Sequence, residues 1–491
     1  MSLNFEQVLE KPVELRGFEP LTFCMPCRRA TSCAIAPQPT TGYSVPEHPA
    51  RWNAVSLQVP RAWVVRDRDA SPKPRPSKAS KLPTTPPVTL IPVTTQEPQA
   101  QRAADQDSHR DPHQATPTGK PRARALGLKY RGTPGPHNAI TDVPGLEVGY
   151  RTLIEGDNVR TGVTAIHPRG KGNPGDPVAA GYHSLNGNGE MTGVSWIEES
   201  GTCQGPIAIT NTHAVGIAHA GIIAWMNQYH ANLTDVWLLP VAAETWDGYL
   251  NDINGHHVNE ETVIEALESA TSEQPDEGSV GGGTGMNCYQ FKGGNGTASR
   301  RVEYNDTTYT VGIFLQANFG SRKDLTLTGV YLGEELADDN PMRDFHAAPQ
   351  GAGSVIAIVA TDAPFFPSQC KALARRVSLG LARTGTIGGH SSGDIFLAVS
   401  TANEGAFSRK NPNTEDPEDP NSQQAHPAYG HLEFIPWDAI DPFYAAVVQA
   451  TEEAVANALI ANEDMTGRDG HRSPALPRHR LAEILSRTRQ A

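Results

Sequence analysis

Three apolar runs of strand length lie between Val236 and Pro364: "VWLLPVAAETW", "YTVGIFLQANFG" and "SVIAIVATDAP". They show no polar alternation and carry many β-branched and aromatic residues, which predicts strands buried on both faces. Shorter β-branched runs broken by Gly and Pro, "NAITDVPGLEVGY" and "TGVTAIHP", predict strands with tight turns. "VAAGYHSLNGNGEMTG" reads as a strand followed by a glycine-rich loop, and "GPIAITNTHAVGIAHAGIIAWMNQYHA" passes from strand to helix. Between Ser368 and Arg383, residues Cys370, Leu373, Ala374, Val377 and Leu381 form a helical stripe. The polar stretch "NEGAFSRKNPNTEDPEDPNSQQAHPAYG" is a surface loop. "HLEFIP" after it reads as a strand, and "DPFYAAVVQATEEAVANALIANE" as a long helix with Asp441 as N-cap and Pro442 in the first turn. Strands alternating with helices predict an α/β (α+β) fold whose sheets are covered by helices.

The pattern stops upstream of about Ala123. Residues 1–122 are expected to be a disordered extension, dominated by Pro, Ser, Thr and charge with no sustained period. Such a segment buries too little apolar area to offset its ordering entropy. "VELRGFEPLTFCMPCRRATSCAIAP" further upstream resembles translated sequence from beside transfer-RNA genes, so a natural start downstream of Met1 and a real disordered tail both stay open. Organised sequence is expected over 123–491.

Composition narrows the function classes. The chain has 491 residues, 40 prolines and a net charge of −13, a balance that does not favour a nucleic-acid partner. No apolar run reaches the ~18 residues of a membrane span. The N-terminus lacks the order of a signal peptide, so a soluble cytoplasmic protein without a membrane partner is expected. Cys24, Cys27 and Cys33 look like half a zinc site, but no second C-x-x-C or His pair completes it, and no metal is expected.

The candidate chemistry centres on "TGTIGGHSSGDIFLAVST", Thr384 to Thr401. Gly389-His390-Ser391-Ser392-Gly393 fits G-x-S-x-G, the nucleophile elbow of α/β-hydrolases, with Ser391 as nucleophile. An elbow demands strand, turn, helix, whereas helix-like residues precede this motif and an apolar strand follows it. The alternative makes Ser392 the first residue of a strand freed by chain cleavage. Its hydroxyl attacks the preceding carbonyl, and the new α-amine, with an intrinsic pKa of about 7.7–8.0, then serves as its general base. On residues alone, Ser-Gly-Asp before a strand is also an ordinary turn.

A larger set of segments discriminates. "GTPGPHNAITDVPGLEVGY", "EGSVGGGTGMNCYQFKGGNGTASR", "VGIFLQANFGSRKDL", "IVATDAPFFPSQCKALARRVSLGLARTG", "SSGDIFLAVST", "QATEEAVANAL" and "MTGRDGHR" occur in that order between Leu126 and Leu485. This region resembles the DmpA-type L-aminopeptidase/D-amidase–D-esterase family, which includes β-peptidyl aminopeptidases. The resemblance implies a four-layer α-β-β-α sandwich, self-cleavage into two polypeptides and a homo-oligomer, tetramer or larger. It also implies metal-free removal of N-terminal residues from small peptides, amides or esters. The nucleophile becomes Ser392 and the broken bond Ser391–Ser392, giving pieces 123–391 and 392–491. Ser391 stands where the family usually has glycine, which matters if that position needs a positive φ.

The resemblance implies further roles. Glu277 would hold the substrate ammonium, against a solvated loop carboxylate as the competing reading. Tyr289 would point into the site, against a core aromatic with its hydroxyl tied off. "DEGSVGGGTGMNCYQFKGG" lacks the G-K-[ST] of a phosphate loop and would instead be a glycine-rich wall of the cleft. Asn318 would donate to the oxyanion, against a turn Asn ending a strand. In sequences of the resembled family Asn can occupy the position of Asp362, where an ionised Asp cannot donate, with backbone N–H groups as the substitute. Thr451 and Glu453 would orient the nucleophile and its amine, against a helix-surface reading. A different-class alternative is a non-catalytic protein of this fold that binds small peptides or amines.

Overall fold

A computed structural model describes residues 110–234, 237–343, 345, 353–408 and 430–490. Two sheets form its centre. One has four strands in the order β1-β2-β5-β6: β1 (Glu147–Glu155), β2 (Val159–His167), β5 (Ile207–Asn211) and β6 (Val241–Thr245). The other has six, in the order β4-β3-β10-β9-β8-β7. These are β3 (Val178–Ser184), β4 (Thr202–Cys203), β7 (Gly294–Tyr304), β8 (Thr307–Asn318), β9 (Gly353–Thr361) and β10 (Ser392–Ser400). β9 and β10 run parallel at its centre, with antiparallel neighbours outside them.

Side-chain alternation divides the core into three slabs. Along β10, Ile395, Leu397 and Val399 face the four-stranded sheet, meeting Ile207, Ile209 and Val241. Phe396 and Ala398 face the other way, toward Leu373 and Val377 of α4 (Pro367–Ala382) and the apolar face of α5 (Asp441–Ile460). On the outer side of the four-stranded sheet, Val163, Ala208 and Ala242 pack on α2 (Val215–Tyr229) and α3 (Glu260–Glu268). The layers are therefore helix, sheet, sheet, helix, as the resemblance implies. α1 (Val194–Ser200) and α6 (Arg478–Gln490) complete the major helices of the described residues.

Several local expectations change. The boundary at Ala123 lies inside ordered chain: Ala115 bridges Pro121, and Arg122 is fully buried against Glu277. The proline-rich composition hid this because the segment is held by polar anchors, not by a periodic apolar face. Residues 1–109, with Cys24, Cys27 and Cys33, lie outside the described residues. "HLEFIP" is not a strand; Ile435 docks as coil, its N–H on the Pro364 carbonyl at 3.0 Å. Asp441 is the first residue of α5, with Ile440 at the cap position. Among the described residues no helix is long and apolar enough to cross a membrane.

The glycine run of the segment expected to wall the cleft is itself buried. Gly281–Gly283 form a buried turn wedged between the sheets, where a Cβ on Gly282 would lie 2.2 Å from Gln316 Oε1 and 2.5 Å from the Ile209 carbonyl. Only residues without a side chain fill this gap, which explains the composition without any ligand.

Candidate active site

Helix, loop, strand is the order around the doubled serine: α4 ends at Ala382 and Ser392 opens β10. That is the reverse of a nucleophile elbow, so Ser391 is not lifted on a strand-to-helix turn. Ser391 has no positive φ, so the hydroxymethyl group there strains nothing. Ser392 is 2% exposed and its Oγ donates to Asp394 Oδ1 at 2.6 Å. Both side chains project from the same face because they are two residues apart on a strand.

The loop after β3 wraps this strand end. Asn186 Nδ2 donates to Asp394 Oδ2 at 2.8 Å, and the Asp394 N–H returns to Asn186 Oδ1 at 2.6 Å. Asn188 Nδ2 donates to the Ser391 carbonyl at 2.7 Å, and the Asn188 N–H to the Ser392 carbonyl at 3.1 Å. Burial is the largest influence on the Asp394 carboxyl and pushes it above the ordinary range, against the hydrogen bonds from Ser392 and Asn186.

The next residues of the same loop reach a second buried acid. Glu244, near the end of β6, accepts from the Glu190 N–H at 2.9 Å and from the Thr212 hydroxyl. A Cβ at Gly189 would lie 3.0 Å from Gly393 Cα and 3.4 Å from Glu244 Oε1, so only this glycine separates the carboxylate from the residue after Ser392. Glu244 is 3% exposed, and burial pushes its carboxyl upward. Sequence reasoning missed it because "VAAETW" reads as an apolar strand, and one acid at a strand end carries no periodic signal.

Asn318 ends β8 at the same end of the six-stranded sheet. Its register partner is Ser354, which in turn faces Gly393, one residue after the nucleophile. Asn318 Nδ2 donates to the Trp246 carbonyl at 2.9 Å, which uses one of its two amide hydrogens. The Ser354 hydroxyl between them is buried without a hydrogen-bond partner among the described residues. Ser392, Asn318, Glu244 and Ser354 thus lie at the same end of the two sheets, with Asn318 and Ser354 on the face toward the four-stranded sheet and Ser392 on the opposite face.

The other expected residues are engaged with partners of their own. Glu277 is fully buried in a two-point pair with Arg122, Nε to Oε2 at 2.7 Å and Nη2 to Oε1 at 3.1 Å, and it also accepts from the Thr297 N–H. Its carboxylate is occupied, and it is no solvated loop acid either. Tyr289 is a core residue whose hydroxyl meets Thr384 Oγ1 at 2.7 Å and accepts from the Thr386 N–H at 3.0 Å. It anchors the start of the loop that carries the doubled serine.

Glu453 is not at Ser392. Arg124, Arg300 and Asn138 surround it, at 2.6, 2.6 and 2.7 Å. Asn138 also receives the Ser299 N–H, and Ser299 pairs through Gly312 and Ala360 to Val399. Val399 lies seven residues along β10, roughly 23 Å from Ser392 at strand rise. Thr451 Oγ1 donates to the Val447 carbonyl at 2.7 Å within its own helix. Asp362 receives the Thr310 N–H at the far end of β9, beyond Thr361, which pairs with Ser400. It is therefore no oxyanion donor at Ser392. Helical spacing and motif order could not show which end of the sheet these side chains reach.

Comparisons with known proteins agree with this architecture. The model of peptidase family S58 matches residues 138–473. A curated relative, beta-peptidyl aminopeptidase BapA of Sphingosinicella microcystinivorans, is 43% identical over 387 residues, 75% of this chain and 93% of the relative. The solved L-aminopeptidase D-Ala-esterase/amidase of Ochrobactrum anthropi, described as a variant of the Ntn hydrolase fold, is 44% identical with a TM-score of 0.68. That match covers 75% of this chain and 99% of the other. A Burkholderia sp. beta-aminopeptidase is 42% identical with a TM-score of 0.66, covering 74% and 98%.

Proposed function

The chain belongs to peptidase family S58, and on that premise we propose that it cuts itself between Ser391 and Ser392 and then acts as a serine aminopeptidase. The cut leaves a large piece ending at Ser391 and a small piece, Ser392–Ala491. The observation that carries the reading is the position of Ser392 as the buried first residue of a central strand, directly behind a loop. Cleavage there creates an α-amine on the same residue as the hydroxyl.

The chemistry follows from that pairing. The neutral α-amine takes the Oγ proton as Oγ attacks the acyl carbon of the substrate's first residue, then returns it to the leaving amine or alcohol. Asn318, at this end of the sheet, donates to the tetrahedral oxyanion and stabilises it. Glu244 holds the substrate's free ammonium, a charge-assisted contact that restricts hydrolysis to the N-terminal residue. A water repeats the sequence on the acyl-enzyme and restores Ser392. Short peptides, amino-acid amides and esters are the substrate class, and the family resemblance supports a homo-oligomer.

Hydrolysis of L-alanyl and β-alanyl p-nitroanilides tests the reading. Wild type should release p-nitroaniline from at least one, Ser392→Ala from neither, and Ser391→Ala should stay active. A wild-type chain that stays uncut and binds without hydrolysing would replace the enzyme with a binding protein.

A further inference from the structure

Self-cleavage poses a problem that later turnover does not. Until the Ser391–Ser392 bond breaks there is no free α-amine, so the first attack needs another base. The intact chain has a carboxylate against the attacking oxygen, at 2.6 Å from Ser392 Oγ. Asn186 fixes that carboxylate through two hydrogen bonds, one to Oδ2 and one from the Asp394 N–H, and all these partners are neutral. Across the bond, the carbonyl under attack already has a side-chain donor, Asn188 Nδ2 at 2.7 Å. The Ser392 N–H, the future leaving group, is turned onto the Gly389 carbonyl at 3.0 Å.

We propose, resting on the reading that the chain cuts itself at Ser391–Ser392, that Asp394 is the general base and Asn188 the oxyanion donor of the self-cleavage step. The precursor then carries a catalytic pair separate from the α-amine and Asn318 used on substrates. Asp394 takes the Oγ proton as the Oγ–C bond to Ser391 forms, and the carbonyl electron pair moves onto oxygen, facing Asn188 Nδ2. The oxyanion collapses, the C–N bond breaks, and the proton on Asp394 passes to the Ser392 nitrogen. Water then adds to the ester and breaks the C–Oγ bond, leaving a Ser391 carboxylate and a free Ser392 amine and hydroxyl. Burial makes the Asp394 carboxylate a stronger base than an exposed one.

The test follows disappearance of the full chain after cell-free synthesis, by gel and mass spectrometry. Wild type must first be seen to cut between Ser391 and Ser392; if it does not, the proposed function fails, not this assignment. Given that cut, Asp394→Asn should slow it about 10²–10⁴-fold, and Asn188→Ala about 10²–10³-fold. The uncut Ser392→Ala chain is the folding reference, and both variants should match its melting temperature. Cleavage at the wild-type rate in either folded variant overturns the assignment. If Asp394→Asn does not fold, Asp394→Glu decides, since it keeps the charge but moves it by one methylene. Slowed cleavage then supports the base role, and wild-type cleavage overturns it.

Discussion

Gly393 lies so close to Gly189 that a Cβ on Gly393 would come within 2.7 Å of the Gly189 Cα and 2.5 Å of the Asn188 carbonyl. The backbone after the nucleophile is thus pressed against the loop that holds Ser391 and Asp394. Gly393→Ala should force these segments apart and slow self-cleavage at least about tenfold, because small displacements at a reacting centre are expensive. A time course of intact against cut chain reads this, and an alanine variant that cuts like wild type would show that the contact is not needed.

Arg122 and Glu277 are a structural pair. Removing one charge of a buried pair leaves the other uncompensated, so Glu277→Gln should lower unfolding free energy by about 3–5 kcal/mol. Urea denaturation measures this. KM of the folded fraction should not change; a raised KM at unchanged stability would return Glu277 to the substrate site.

Glu244 should behave in the opposite way. Glu244→Gln keeps the shape but removes the charge from the ammonium contact. It should lower kcat/KM for free-amine substrates about 10–100-fold, the value of a charge-assisted hydrogen bond of roughly 1.5–3 kcal/mol. Most of the loss should appear in KM, and unchanged kinetics would exclude the contact.

The helix-covered sheets and the reactive strand were legible because both are periodic or ordered features, whereas the four-layer order came from the family resemblance. Long apolar runs announced buried strands, and helix before strand around Ser391-Ser392 argued against an elbow without any coordinates. The side chains around Ser392 were less legible. Glu277 and Glu453 are acids beside motif residues, yet Arg122, Arg124 and Arg300 claim them across long stretches of sequence. Two of those arginines sit in or beside the proline-rich segment read as disordered. Glu244, Asn186 and Asn188 reach the site by tertiary contact, which no spacing rule encodes.

Glu453 makes acid stability a test of its own. Burial alone would raise its carboxyl, but hydrogen bonding from Arg124, the charges of Arg300 and Arg124, and Asn138 hold it down at about 2. A carboxyl lowered in the fold gives stability that is full above the unfolded value and is lost as pH falls through the folded one. Between the ordinary 4.5 and about 2, wild type should therefore lose this contribution. Glu453→Gln should be less stable by about 3–5 kcal/mol at neutral pH, and the gap in melting temperature should narrow as pH falls through that window. A gap independent of pH would contradict the ion-pair account.

N-terminal sequencing of the small fragment from purified protein tests the central claim most directly. The predicted fragment begins Ser392-Gly393-Asp394-Ile395-Phe396. An active enzyme that remains a single chain, or a fragment beginning at any other residue, would contradict Ser392 as the nucleophile.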